Sequence, residues 1–137
     1  MIHEGQLGYQ ERGLLKVVDL GEWWKSQTGL PLPLGCNVVR KDLGKEIIRK
    51  LERLMKKSIE YALSHREEAL SFATKYAREI KEDKAKVGRF VSMYVNQRTL
   101  DYGEDGRKAV RLLLELGYKQ GIIKVPPPDV VFSDEVS

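Results

Sequence analysis

His3 is the residue whose chemistry is easiest to name from the sequence. It is followed by Glu4 and Gly5 near the start of a chain of 137 residues. An imidazole titrates at about pH 6.5, so it can accept a proton at neutral pH without large tuning. One histidine makes no catalytic constellation, and a histidine at a chain start is ordinarily a solvated surface residue. Glu4 could orient the imidazole, although an acid here is better explained as one favoured by a helix start.

The other two reactive side chains give weaker signals. His65 falls one residue after a predicted helix cap, with no ligand set or triad near it in sequence, so we expect it on the surface. Cys36 is the single cysteine, which excludes an internal disulfide and a cysteine metal cluster. It has no basic neighbour in sequence to lower the pKa of its thiol, so a reactive thiol is not indicated.

The stretch from Asp19 to Arg40 is the most distinctive part of the chain. It holds both tryptophans, Trp23 and Trp24, and two of the five prolines. Proline and glycine fix the backbone and let a ligand approach closely, so the run from Leu32 to Asn37 is a candidate pocket wall. A purely structural crossing strand explains the same run equally well. The tryptophans are expected to pack as core or interface anchors.

Together with Ile2 to Leu7, this stretch resembles the 1,4-dihydroxy-6-naphthoate synthase family of the futalosine route to menaquinone. The resemblance runs from Ile2 to about Ile123 and corresponds to the C-terminal half of the family's pattern. It implies an α/β fold with two lobes, of the type 2 periplasmic-binding-protein-like kind, in which this half is mostly helical with a few short strands.

The resemblance also implies a reaction. The family is a lyase family that converts cyclic dehypoxanthine futalosine, a small-molecule substrate, to 1,4-dihydroxy-6-naphthoate, and no metal or organic cofactor is expected. His3 corresponds to the proton acceptor, and Leu34, Gly35 and Asn37 correspond to substrate contacts. Relatives tend to carry a threonine at the position of Gly8 and a glycine at that of Cys36.

Three alternatives remain open at this stage. The first is the chorismate dehydratase of the same pathway, which shares the fold, although the string from Thr28 to Gly35 looks closer to the naphthoate synthase. The second is a non-catalytic module that binds a ligand or partner on the same scaffold. The third is a basic helical module that binds nucleic acid.

A basic stripe on one predicted helix is the feature that suggests nucleic acid. It lies about opposite an apolar stripe, and no aromatic residues interleave it for base stacking, so a solvated helix face and no nucleic-acid partner are expected. The basic residues are Lys45, Arg49, Lys50, Arg53, Lys56 and Lys57, and the apolar ones are Leu43, Ile47, Leu51, Leu54 and Met55.

The composition is that of a globular protein. Hydrophobic residues make up 42%, charged residues 32%, and the net charge is +4. Such a chain can bury a core and form one domain. No apolar run approaches the roughly 20 residues that span a bilayer, and no export signal opens the sequence. We therefore expect no membrane partner and a cytoplasmic location.

Periodicity and turn residues predict the elements that must position these residues. The first part is a short helix or turn at Glu4–Arg12 closing at Gly13, a strand at Leu14–Asp19, a helical turn at Gly21–Gln27 stopped by Gly29, and an extended Leu30–Arg40. The second part is a helix capped by Asp42 to about Leu63, a helix from a Ser64–Glu67 capping box to Ile80, a helix capped by Asp83, and a helix led by Glu104 and Asp105 to a C-cap at Gly117. Pro126–Pro128 predict a stiff linker to a fraying acidic tail.

Two strands cannot form an independent sheet, so the predicted elements need partners. We expect residues 1–40 to close the second lobe and cross the hinge, residues 41–125 to form the helical part of the first lobe, and residues 126–137 to be a linker and tail. The partner is expected to be the missing N-terminal half of the same enzyme, or a second copy in a homo-oligomer. Without that half we expect negligible activity.

Overall fold

The computed structural model describes residues 5–76 and 84–135, and these are mostly helical. Three 3-10 turns accompany the helices, at Gln10–Arg12, Lys41–Leu43 and Ser133–Glu135. No helix in these two ranges is both long and apolar enough to cross a membrane. The helices are α1 (Gly5–Gly8), α2 (Leu20–Thr28), α3 (Lys45–Ser64), α4 (Arg66–Thr74), α5 (Lys84–Tyr94), α6 (Gln97–Leu100) and α7 (Gly103–Lys119).

Both predicted strands are wrong, because residues 5–76 and 84–135 contain no β-strand. The predicted strand at Leu14–Asp19 is irregular chain, with Leu15 89% and Val17 97% exposed. Leu30–Arg40 is likewise outside regular structure, as the prolines predict, but Val38–Val39 form no strand. β-Branched residues favour a strand only where a neighbouring strand completes the hydrogen-bond ladder and covers a face. No such neighbour exists in the described part.

Helix α2 forms as the sequence predicts. The Asp19 carboxylate caps it by accepting hydrogen bonds from the backbone N–H groups of Gly21 (2.9 Å) and Glu22 (3.1 Å). Gly29, with φ of 70°, ends it by donating its N–H to the Lys25 carbonyl. The Trp24 indole N–H donates to the Pro31 carbonyl at 3.1 Å, so the exit of the chain from α2 is held in place.

The ends of α3 differ from the prediction. Asp42 does not cap it, because the Arg40 guanidinium binds the Asp42 carboxylate within a separate 3-10 turn. This pairing lowers the pKa of Asp42. The Ser64–Glu67 capping box is also wrong. The Ser64 hydroxyl donates back to the carbonyls of Glu60 (2.9 Å) and Tyr61 (3.0 Å), a local bond that competes with capping the next helix.

The apolar stripe predicted for α3 faces solvent. Ile48, which was not part of that stripe, is the residue that α3 buries, at 3% exposure. The stripe residues Ile47, Leu51, Leu54 and Met55 are 40–55% exposed. The helix therefore turns a different side toward the rest of the chain than its hydrophobic pattern predicts.

The chain divides into two compact units. Unit 1 comprises Met1–Val17 and Lys56–Asp101, and unit 2 comprises Val18–Met55 and Tyr102–Ser137.

In unit 1, α4 packs against α5. The Arg66 guanidinium donates to the Gly88 carbonyl at 3.1 Å and to the Ser92 hydroxyl, and Val87 is 2% exposed. Gly88 lets the helices approach, since a Cβ there would lie 3.6 Å from Leu70 Cδ1. The prediction that the second helix runs to Ile80 is wrong, because α4 ends at Thr74 and a turn follows it. The predicted cap Asp83 lies outside the described residues.

In unit 2, α7 begins with Glu104 and Asp105 in its first turn, which confirms that prediction. The predicted C-cap at Gly117 is wrong, because α7 continues to Lys119. Gly117 instead makes room for Ile123, whose Cδ1 lies 3.0 Å from the place a Cβ on residue 117 would take. Ala109 on the same helix has no exposed surface.

The acidic tail of unit 2 does not fray over its described residues, which corrects the prediction. Arg107 binds the Asp134 carboxylate through two bonds of 2.9 Å, and Arg111 binds Glu135 at 3.2 Å. Both guanidinium groups also lie over the Phe132 ring, with their carbons 4.7 and 5.1 Å from its centroid. The sequence shows the tail's acids next to one another but not the arginines some 25 residues upstream that bind them.

Candidate functional site

The candidate base and its neighbour cannot be placed. His3 and Glu4 lie outside the described residues, so the role of His3 stays a prediction. The candidate substrate contacts Leu34, Gly35 and Asn37 do lie in the described part, in the segment between α2 and the turn at Lys41–Leu43. All three are exposed, and Leu34 is 74% exposed. In the described part of the chain, these three residues are therefore exposed to solvent and do not line an enclosed pocket.

Gly35 has room around it that the described fold does not use. A Cβ built on this residue meets no heavy atom within 4 Å, and its φ lies outside the left-handed region. Neither backbone conformation nor local packing therefore requires glycine here. Close approach by a group from outside the described residues remains as a physical reason for a glycine at this position.

Tyr102 contacts the candidate segment, and the sequence pattern did not predict this contact. Its hydroxyl donates a hydrogen bond to the Gly35 carbonyl at 2.9 Å, across 67 residues of chain. Partial burial and, secondly, the nearby Cys36 thiol raise the pKa of Tyr102 above its ordinary value. In the sequence, Tyr102 precedes Gly103 and signals only a chain break.

The Tyr102 ring is held in turn by the tail. It meets Phe132 edge to face, with the centroids 5.8 Å apart. Arg107 lowers the pKa of Asp134 by hydrogen bonding, which keeps that carboxylate ionised. The pKa of Glu135 is lowered first by the Phe132 backbone N–H and then by Arg111 and Arg107. We call the residues that support Tyr102, namely Arg107, Arg111, Phe132, Asp134 and Glu135, the Phe132 cluster.

A separate open groove in unit 2 contains none of the candidate site residues. Its volume is 710 Å³, and it is lined by Lys45, Glu46, Arg49, Glu52, Arg53 and Asp134. Because three of these side chains are basic and three are acidic, the groove favours neither an anion nor a cation. Nor do the described residues bring three His, Cys, Asp or Glu side chains together as a metal site would require.

The remaining candidates divide between surface and interior. His65 is exposed, as predicted, and its ring stacks on Tyr61 with the centroids 4.0 Å apart. Cys36 is exposed with a free thiol. Trp24 is buried at 6% exposure, which confirms its role as a core anchor. Trp23 is 53% exposed and is no core anchor in the described part of the chain.

The described residues thus define a largely helical protein that offers candidate ligand contacts on an exposed segment rather than in an enclosed cavity. The family model for menaquinone biosynthesis matches residues 1–119, and the chain belongs to this family. The resemblance carried by the stretches at Ile2–Leu7 and Asp19–Arg40 is therefore confirmed.

Two curated relatives carry the name 1,4-dihydroxy-6-naphthoate synthase. The one from Thermus thermophilus is 42% identical over 132 residues, which are 96% of this chain and 47% of that protein. The one from Streptomyces coelicolor is 35% identical over 131 residues, 96% of this chain and 46% of that protein. A crystal structure of an Archaeoglobus fulgidus protein matches with a TM-score of 0.82 and 41% identity, over 90% of this chain and 46% of that one. The chain spans about half the length of the relatives it matches.

Proposed function

We propose that this chain forms one half of a 1,4-dihydroxy-6-naphthoate synthase, a lyase that converts cyclic dehypoxanthine futalosine to 1,4-dihydroxy-6-naphthoate in the cytoplasm. The observation that carries the proposal is the similarity of 96% of the chain to two synthases of that name. Because the match covers under half of each, the proposed active site is completed by a polypeptide that corresponds to the relatives' remaining length.

The exposed apolar surface supports the need for such a partner. Val38 is 87% exposed and the α3 stripe is half exposed, whereas folded monomers rarely leave contiguous apolar patches uncovered. We propose the two-lobed periplasmic-binding-protein-like fold for the completed enzyme. In it, residues 1–40 close the second lobe and cross the hinge, residues 41–125 belong to the first lobe, and residues 126–137 end the chain.

His3 is the proposed general base, and Leu34, Gly35 and Asn37 are the proposed substrate wall. The unused space at Gly35 and the exposure of Leu34 support a ligand contact there. A general base must lie within about 3 Å of the proton it removes. His3 therefore acts only when the companion half holds both it and the substrate, and the chain alone has negligible activity.

The experiment combines this chain with the half of the Thermus thermophilus synthase that it does not match, fused or mixed. Cyclic dehypoxanthine futalosine is supplied, and 1,4-dihydroxy-6-naphthoate is followed by mass spectrometry. Turnover should appear only with both halves. A parallel reaction with chorismate tests the dehydratase alternative. Turnover of chorismate without turnover of cyclic dehypoxanthine futalosine would overturn the proposed substrate.

The two histidines of the chain allow a test of the proposed base with a matched control. In the complemented enzyme, His3→Gln should lower kcat at least a hundredfold, the usual contribution of a general base. His65→Gln removes an exposed imidazole and should leave kcat within about twofold. Normal turnover by His3→Gln would show that His3 is not the base.

A further inference from the structure

Few interactions in the described structure fix the conformation of the segment that carries Leu34, Gly35 and Asn37. It lies outside regular secondary structure, and its apolar side chains project into solvent, with Leu34 74% and Val38 87% exposed. An exposed segment outside a β-sheet ordinarily samples many conformations, and ordering its backbone costs conformational entropy. A substrate wall needs a defined shape before the substrate arrives, because ordering it on binding lowers affinity.

One long-range hydrogen bond reaches the middle of this segment. It runs from the Tyr102 hydroxyl to the Gly35 carbonyl at 2.9 Å and joins residues 67 positions apart. The bond acts on the main chain, at the peptide unit that joins Gly35 to Cys36. Leu34 and Asn37 stay exposed, so their side chains are available to a ligand.

Tyr102 is itself well placed to act as a fixed point. It directly precedes the first turn of α7, and its ring edge packs on Phe132. Phe132 lies under two guanidinium groups, and one of these, Arg107, is bound bidentately by Asp134. A tyrosine held by its ring and bonded through its hydroxyl transmits the rigidity of α7 to whatever its oxygen touches.

We propose that Tyr102 is a positioning residue that fixes the Leu34–Asn37 segment in its substrate-receiving conformation, with the Phe132 cluster as its support. The inference rests on the proposed function for the identity of the substrate wall. Tyr102 acts through the Gly35 carbonyl and touches no reacting atom. Phe132, Asp134 and Glu135 thereby contribute to the proposed site indirectly, by supporting Tyr102, although none of them is a proposed substrate contact.

The first test measures backbone motion in the full chain by NMR relaxation. Tyr102→Phe removes only the hydroxyl and keeps the ring on Phe132. The order parameters of the Gly35, Cys36 and Asn37 amides should fall from about 0.85, typical of rigid backbone, to below about 0.6. Tyr118→Phe removes an exposed hydroxyl from the same helix and should leave them unchanged. Unchanged values in Tyr102→Phe would overturn the proposal.

The second test uses the complemented enzyme and separates KM from kcat. Loss of one hydrogen bond of ordinary strength should raise KM about fivefold in Tyr102→Phe, with kcat within about twofold, while Tyr118→Phe behaves as wild type. Lower order parameters with an unchanged KM would overturn the positioning role. Absence of wild-type turnover would overturn the proposed function instead, and the order parameters would still decide whether the hydroxyl fixes the segment.

Discussion

Adjacent residues in unit 2 have opposite surroundings at three places. Trp24 is 6% exposed and Trp23 is 53% exposed, and Ile48 is 3% exposed and Ile47 is 48% exposed. On α7 the side chain of Arg107 is 20% exposed and that of Lys108 is 68% exposed. Neighbours on a helix point about 100° apart, so each pair compares one side chain that has protein around it with one that has solvent. Each helix of this unit therefore buries a narrow side, and residue type alone does not decide which side that is.

The comparison also exposes an unused surface. The stripe of Ile47, Leu51, Leu54 and Met55 has the spacing of a core-facing helix side, yet it is half exposed. A hydrophobic pattern records which face is buried in the functional assembly. The structure records which face this chain covers by itself. The two disagree on α3, and the proposed companion half predicts such a disagreement.

The largest expected effect separates Ile48 from Ile47. Ile48→Ala should lower the free energy of unfolding by about 2–5 kcal/mol, because it removes buried methyl groups and leaves a cavity. Ile47→Ala, the same change one residue earlier, should cost less than about 1 kcal/mol in the isolated chain. Urea denaturation followed by circular dichroism measures both. Equal losses would mean that α3 is rotated from the orientation described.

The exposed apolar stripe of α3 should promote self-association of the chain and contribute little to its folding stability. We expect the isolated chain to self-associate, and Leu51→Glu should weaken that association at least tenfold by placing a charge in the apolar contact. Lys50→Glu changes a polar, exposed neighbour and should have a much smaller effect. Light scattering over a range of concentrations measures this. A wild-type chain that stays monomeric and melts cooperatively would contradict the expectation.

The parts of the fold that were predicted correctly depend on local signals. Gly29 ends α2 as expected, and Glu104 with Asp105 opens α7. The capping role of Asp19 was not predicted, because the sequence pattern placed Asp19 at the end of a strand. Each of these features depends on residues within one turn of the helix, so the sequence contains all the atoms concerned.

Signals that depend on distant atoms failed. Val17 and Val38 have strand-forming side chains, but a strand exists only beside another strand. A local prediction failed as well, because the Ser64 hydroxyl donates to the carbonyls of Glu60 and Tyr61 instead of capping α4. In the candidate site, the role of the segment from Leu34 to Asn37 stays a prediction, which was possible because its residues are consecutive. The contacts of Tyr102 and Phe132 are a different case. They were not predictable, because 67 and nearly 100 residues separate these two residues from Gly35.

The tryptophan pair offers a smaller and more direct comparison. Trp24→Phe removes the indole that donates to the Pro31 carbonyl and should cost about 1 kcal/mol of unfolding free energy. Trp23→Phe should cost less than about 0.5 kcal/mol. Fluorescence checks the assignment, because Trp23→Phe leaves only a buried indole with blue-shifted emission and Trp24→Phe leaves only an exposed one. The reverse order of emission maxima would exchange the two roles.

The smallest effect concerns Arg107 and Lys108. Arg107 lowers the pKa of Asp134 below its ordinary value of 3.8. A carboxyl whose pKa is lower in the folded state stabilises the fold fully above the unfolded-state value, and that contribution disappears as the pH falls through the folded value. At pH 7, Arg107→Ala should therefore cost up to about 1 kcal/mol, the range of partly exposed ion pairs, and less at pH 2. What survives at pH 2 is the contact of the guanidinium with the Phe132 ring, which needs no ionised carboxylate.

Lys108→Ala is the control. It loses only a 3.9 Å pairing with Glu104 between two exposed side chains, so its cost should be too small to resolve at either pH. Urea denaturation at the two pH values measures all four differences. If Arg107→Ala costs the same at pH 7 and pH 2, the ring contact alone holds the tail, and Tyr102 is supported by packing rather than by charge.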